Sequence, residues 1–297
     1  MDQLEPEKLI ATLEGTGNYR VLRRLKSRRI FRAPDGEATR VAILLDLETT
    51  GLDPTKDEII EIGMVPFTYG VDSGRIFEVS EPFHQLRQPA APISAEISAL
   101  TGITNEMVAG KSIELDLVSK FIASGSIIIA HNAGFDRRFA ERFSDAFIGT
   151  SWACSMTQVP WKQEGFPGSR LEYLALSSGF FFEAHRATDD CMAAIELLSL
   201  PLPKSRMLAM AKLLEVARLP TCRIWAENSP FDLKDQLRTR GYRWNDGSDA
   251  RPKAWFVDVP EMDAASELTY LKKEIYQREV DLLVTRITAR ERFSDRA

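Results

Sequence analysis

The chain has 297 residues, enough for two domains or for one domain with appendages. At 44% hydrophobic and 27% charged it has ordinary globular usage, which excludes wholesale disorder. Its net charge of -5 argues mildly against a nucleic-acid partner, because phosphate binders usually carry a basic excess.

The start, MDQLEPEKL, is acidic and lacks an apolar run, so no signal peptide is expected. A short helix is predicted over residues 5–14, and GTGN after it is a turn signal. From Arg20 to Arg32 the chain carries seven bases and no acid, which reads either as a solvated face or as a phosphate-contacting arm. APDGEATR then reads as a linker. Residues 1–40 form a basic leader, with nine bases against six acids.

Residues 41–200 change to an alternating α/β pattern. VAILLDL, DEIIEIGMVPF and RIFEVSEPF read as three strands, and their short connections predict antiparallel pairing. SIIIAHN reads as a buried strand and AGFDRRFAERF as the helix after it. Helices are also predicted from Leu171 to Ser178 and from Ala187 to Leu200. A mixed sheet covered by helices is the expected architecture. Residues 41–220 hold 15 bases and 23 acids, so the acidity of the whole chain is concentrated there.

LPLPKS marks a boundary, and residues 201–220 form a connecting helix. Residues 221–297, with 14 bases and 14 acids, predict a small α+β domain in the order βαββαβ. Trp225, Trp244 and Trp255 are interleaved there with Arg238, Arg240, Arg243, Arg251 and Lys253. Such a segment suits either a stacking platform for single-stranded nucleic acid or the core of a small domain. The core is favoured, since a small domain needs large residues to bury enough area. Cys154, Cys191 and Cys222 are odd in number and widely spaced. That argues against a disulfide framework or zinc knuckle and predicts a reducing, cytoplasmic setting. Apolar runs such as Ile127 to Ala130 are far too short to span a bilayer, so no membrane partner is expected.

Three short segments carry chemistry. Asp46 and Glu48 stand two residues apart at the end of an apolar strand, so both point to one face. Two adjacent anions beside a buried strand are costly unless a cation compensates them. Asp136, in HNAGFD, lies in the first turns of a helix, where an acid also interacts favourably with the dipole. His185, Asp189 and Asp190 open another helix together in HRATDD. Oxygen ligands suit hard cations such as Mg²⁺ or Mn²⁺. Two such ions about 3.5–4 Å apart can clamp the attacking and leaving oxygens of a phosphodiester. A neutral histidine nearby can take a proton from the attacking water.

DLETTGLD, HNAGFD and HRATDD, in this order, resemble the three motifs of the DEDDh-type 3′-to-5′ exonucleases. That family includes the proofreading epsilon subunit of bacterial DNA polymerase III, and the resemblance covers about residues 41–200. It implies an RNase H-like fold and removal of nucleoside monophosphates from a DNA 3′ end, single-stranded or frayed. By motif position, Asp46, Glu48, Asp136 and Asp190 correspond to ligands of two divalent ions and His185 to the general base. Asp190, rather than Asp189, matches the family spacing. Thr49 and Leu52 correspond to contacts with the terminal nucleotide, and Asn132 and Phe135 to the lining of the same pocket. In LTGIT, many members have His where this chain has Thr101, so that contact is not carried over. The resemblance also implies a DNA polymerase as a partner. An RNA 3′ end is the alternative substrate, and an accessory subunit active mainly in a complex is the alternative role.

Overall fold

The computed structural model describes residues 5–248 and 251–297. Met1 to Leu4, the first part of the acidic start, lie outside them. The chain divides into two compact units, one ending at Leu214 and one running from Glu215 to Ala297.

The first unit begins with α1 (Pro6–Gly15), where proline's fixed φ suits the first helical turn. The basic stretch follows, largely exposed but partly paired with acids. Its short strand β1 (Arg23–Arg24) pairs in parallel with a later two-residue strand, Arg23 opposite Phe180 and Arg24 opposite Phe181. Arg24 bonds Glu183 at 2.8 Å, Arg28 bonds Glu196 at 2.9 Å, Arg29 bonds Glu81, and Arg23 bonds Glu7 at 2.6 Å. The leader is thus a strap, five of whose bases are taken up by protein oxygens, Arg20 on the Ser177 carbonyl included.

The central strands are β2 (Thr39–Thr49) and β3 (Ile59–Gly70), an antiparallel pair as predicted. The segment read as one strand, RIFEVSEPF, is two: β4 (Ile76–Val79) and β5 (Phe83–Leu86), both on β3. Pro82 lies in the break and has no N–H to continue the ladder. Three short helices come next: α2 (Ala95–Thr101), α3 (Asn105–Val108) and α4 (Leu115–Ile122). Ile93, Ile103 and Val108 of this stretch pack on Ile60 and Leu86. Then come β6 (Ile127–Ala130), parallel to β2, α5 (Ala133–Phe143), and β7 (Trp152–Cys154), parallel to β6. The unit closes with α6 (Leu171–Ser177), β8 (Phe180–Phe181), α7 (Ala187–Ser199) and α8 (Ala209–Arg218), within which the division falls.

The main sheet runs β4-β3-β2-β6-β7. Ala42 to Leu45 are at most 1% exposed, as expected of a strand covered on both faces. The parallel register sets Leu44 opposite Ile129, so the carboxyl ends of β2 and β6 emerge side by side. That brings Asp46 and Glu48 to the same edge as the start of α5. Helix α7 lies against β2 and β3. It comes close at Gly63, where a β-carbon would sit 2.7 Å from the Ala187 carbonyl carbon, so only glycine fits.

The second unit contains β9 (Thr221–Ala226), α9 (Lys234–Thr239), β10 (Arg243–Trp244), β11 (Trp255–Pro260), α10 (Ala264–Tyr270) and β12 (Val284–Ile287). The predicted βαββαβ order is present. The antiparallel sheet order β10-β11-β9-β12 is the split-βαβ arrangement. Ile224, Leu237, Tyr242, Leu271 and Ile275 form its core. The tryptophans differ in burial: Trp225 is 2% exposed, Trp255 packs on the core, and Trp244 is 50% exposed. Among the described residues, no helix is long and apolar enough to cross a membrane. All three cysteines are free and buried.

Candidate active site

Asp46 and Glu48 end β2, and alternation along the strand sends both side chains to the face that α7 covers. Asp190, on the first turn of α7, meets them there. Asp46, Glu48 and Asp190 offer oxygens within 4.8 Å of one another. Asp136, 3% exposed on α5, is tied to the same strand end by accepting the Leu47 N–H. The turn after β2 is braced from within. Asp57 accepts the Asp53 N–H at 2.8 Å, and a β-carbon on Gly51 would collide with the Asp57 carboxylate at 2.5 Å.

These acids raise one another's pKa. Burial, then repulsion from Asp190 and Asp136, lifts Asp46 well above the ordinary carboxylate range. Burial first, then Asp190 and Glu61, pushes Glu48 up to about 8. Burial likewise raises Asp136 and Asp190 to about 7 each. Four enclosed carboxylates held against their own repulsion fit a cationic ligand. An all-oxygen donor set suits a hard divalent ion better than a thiolate- or imidazole-seeking one.

The two histidines of the motifs have different surroundings. His131 is enclosed: its Nε2 donates to the Ser169 carbonyl at 2.7 Å, and its Nδ1 meets the Ser155 hydroxyl at 2.9 Å. Because a carbonyl can only accept, Nε2 carries the proton. Burial lowers the His131 pKa to about 4, so the ring is a neutral structural brace. His185 instead lies at the rim, with 41% of its side chain exposed and Nε2 3.7 Å from Glu172. Its backbone is left-handed, with φ of 66°, a conformation that sets the ring at the bend into α7.

The profile of the exonuclease family, of the RNase T type, matches residues 43–198. The chain belongs to the exonuclease family. Among its relatives, the PolC-type DNA polymerase III of Thermotoga maritima is 32% identical over 205 residues. That match takes in 66% of this chain but only 14% of the polymerase, so the chain spans a small fraction of that relative's length. The DNA polymerase III epsilon subunit of Treponema pallidum is 32% identical over 166 residues, 52% of this chain and 73% of that one. Exonuclease I of E. coli, solved with an oligonucleotide, aligns at a TM-score of 0.49 and 17% identity over 74% of this chain and 62% of its own.

On this mixed-sheet exonuclease fold the predicted site residues fall as follows. Thr49 is buried, its hydroxyl donating to the Gly51 carbonyl at 2.6 Å. Leu52 projects from the turn, 83% exposed. Asn132 is exposed at the start of α5 and makes no side-chain cap there, while Phe135 stacks on Phe139 with centroids 4.8 Å apart. Thr101 turns inward, donating to the Ile97 carbonyl and accepting the Ile103 N–H, so its hydroxyl is used locally. Sequence reasoning missed Glu61, His84 and Arg186. Glu61 is paired with Glu48 across β2 and β3 and bonds both His84 and Arg186. The signal was available: Glu61 is a lone acid in IIEIGMV, a stretch otherwise apolar on both faces.

Proposed function

We propose that this exonuclease removes nucleoside monophosphates from the 3′ end of DNA, in proofreading or end trimming, with two Mg²⁺ or Mn²⁺ ions. The observation that carries the reading is the set of mutually repelling carboxylates, Asp46, Glu48, Asp136 and Asp190. These four side chains would hold the ions. When bound, the ions supply charge that stabilises the attacking and leaving oxygens of an in-line displacement. His185 takes the proton of the attacking water at its imidazole nitrogen, where rim exposure leaves room for the ring to turn toward the phosphate. Leu52 wedges against the terminal base from the exposed turn. The buried Thr49 holds that turn's backbone near the sugar, and Asn132 and Phe135 line the other wall.

DNA as substrate is supported by relatives named as DNA polymerase III proteins, and the same names support a polymerase as partner. Free buried cysteines fit a reducing, cytoplasmic setting. The test is digestion of matched 3′-labelled DNA and RNA oligonucleotides, single-stranded and mismatched, with Mg²⁺ or Mn²⁺. Stepwise loss from the DNA 3′ end, stopped by a chelator, is expected. Faster loss from RNA would reverse the substrate assignment, and no loss without an added polymerase would favour an accessory subunit.

A further inference from the structure

Glu61 has no exposed surface, and a buried carboxylate is costly unless its oxygens are bonded. Three donors meet it. His84 Nε2 lies 2.5 Å from one oxygen, and an Arg186 guanidinium nitrogen lies 3.3 Å from the same oxygen. The other oxygen accepts the Ala187 N–H at 3.1 Å. Burial pushes its pKa up, but the bonds from His84, Ala187 and Arg186 outweigh it and hold Glu61 below the usual carboxylate range. It is a buried carboxylate whose two oxygens are both bonded.

Both residues it grips on the far side belong to the bend that carries the proposed base and a proposed metal ligand. Ala187 is the first residue of α7, and Arg186 links His185 to it. The Arg186 N–H donates to Asp190 at 3.0 Å, so the bend and the Asp190 carboxylate move together. The left-handed His185 backbone stands immediately before this clamp. The Arg186 Nε is buried without a hydrogen-bond partner, and the guanidinium's bond is to Glu61.

We infer that Glu61 is a positioning residue, backed by His84, that sets the start of α7 and so places His185 and Asp190. The inference rests on the exonuclease reading for the roles of those two residues. Glu61→Gln tests it with little change of shape. All three neighbours are donors, and an amide has only one acceptor oxygen, so its NH₂ must face a donor.

In Glu61→Gln, Mn²⁺ affinity by calorimetry is expected to fall about 10–100-fold, with kcat falling comparably and KM changed less than about twofold. His84→Ala should show the same pattern at about tenfold, and His84→Gln, whose amide N–H can replace Nε2–H, should recover most of it. Deuterium exchange at the Ala187 amide, which needs neither metal nor substrate, should quicken in Glu61→Gln and in His84→Ala. An active wild type whose Glu61→Gln variant keeps its Mn²⁺ affinity, kcat and Ala187 protection overturns the inference. Should that variant not fold, the same results in His84→Ala overturn it. If wild type neither binds Mn²⁺ nor digests DNA, the exonuclease reading fails, and unchanged Ala187 exchange would then separately remove the anchor.

Discussion

Two groups of buried acids, one in each unit, are treated in opposite ways. In the second, Glu267 is 7% exposed and fully served: Arg240 bonds both its oxygens and the Tyr242 hydroxyl donates at 2.8 Å. Burial pushes its pKa up, but these bonds outweigh it and hold Glu267 below its ordinary value. The exposed Asp258 is likewise bonded by Arg223 and Arg243. In the first unit, Asp46, Glu48, Asp136 and Asp190 share one end of the sheet and are all pushed up. A buried acid with its donors supplied is architecture. A buried group of acids that raise one another's pKa is what the proposed metal site rests on.

The sharpest way to break this contrast is Asp46→Asn. It should lower kcat by at least about 10³-fold in a single-turnover digestion. In the metal-free protein at pH 8 the same change should raise the melting temperature, because it removes one member of a repelling set. Next is His185→Gln, expected to cost about 10²–10⁴-fold in kcat while Mn²⁺ affinity stays at the wild-type value. Equal activity would leave the base unassigned.

Glu267→Ala should do the reverse of Asp46→Asn. It strands the Tyr242 hydroxyl and the Arg240 guanidinium and should cost about 1–3 kcal/mol in urea unfolding followed by tryptophan fluorescence. Metal binding should not change. The smallest effect separates the units by pH. Carboxylates with raised folded values keep protons that the unfolded chain has already released. Metal-free stability from the cluster therefore falls as pH rises from the ordinary carboxylate range to about 7 or 8. Glu267, held low, contributes stability at neutral pH that is lost as pH falls through and below its ordinary range. Calorimetric scans should show Mg²⁺ raising the melting temperature more at pH 8 than at pH 5.5.

Much of this was legible because the strongest signals were local. The run VAILLDLE contains both the buried strand and the alternation that aligns Asp46 with Glu48, and SIIIAHN followed by AGFDRRF shows a strand turning into a helix. β7, three residues long, is too short to display a period, and nothing within Trp152–Cys154 marks it as a sheet edge. The leader's pairings were not legible because its charge pattern is local while two of its partners, Glu183 and Glu196, lie over 150 residues away. Glu61 escaped for a related reason. Its meaning depends on the cross-strand register with Glu48 and on His84 and Arg186, which only folding brings to it.

Gly63 has a consequence for the spacing of the site. It stands opposite Asp46 and carries no side chain, so α7 rests directly on the strand. That close contact acts as a gauge between the sheet that bears Asp46 and Glu48 and the helix that bears Asp190. One methyl group added there, though neutral, must lift the helix start and widen the gap between the proposed ligands. A defect at position 63 would then resemble the loss of a carboxylate.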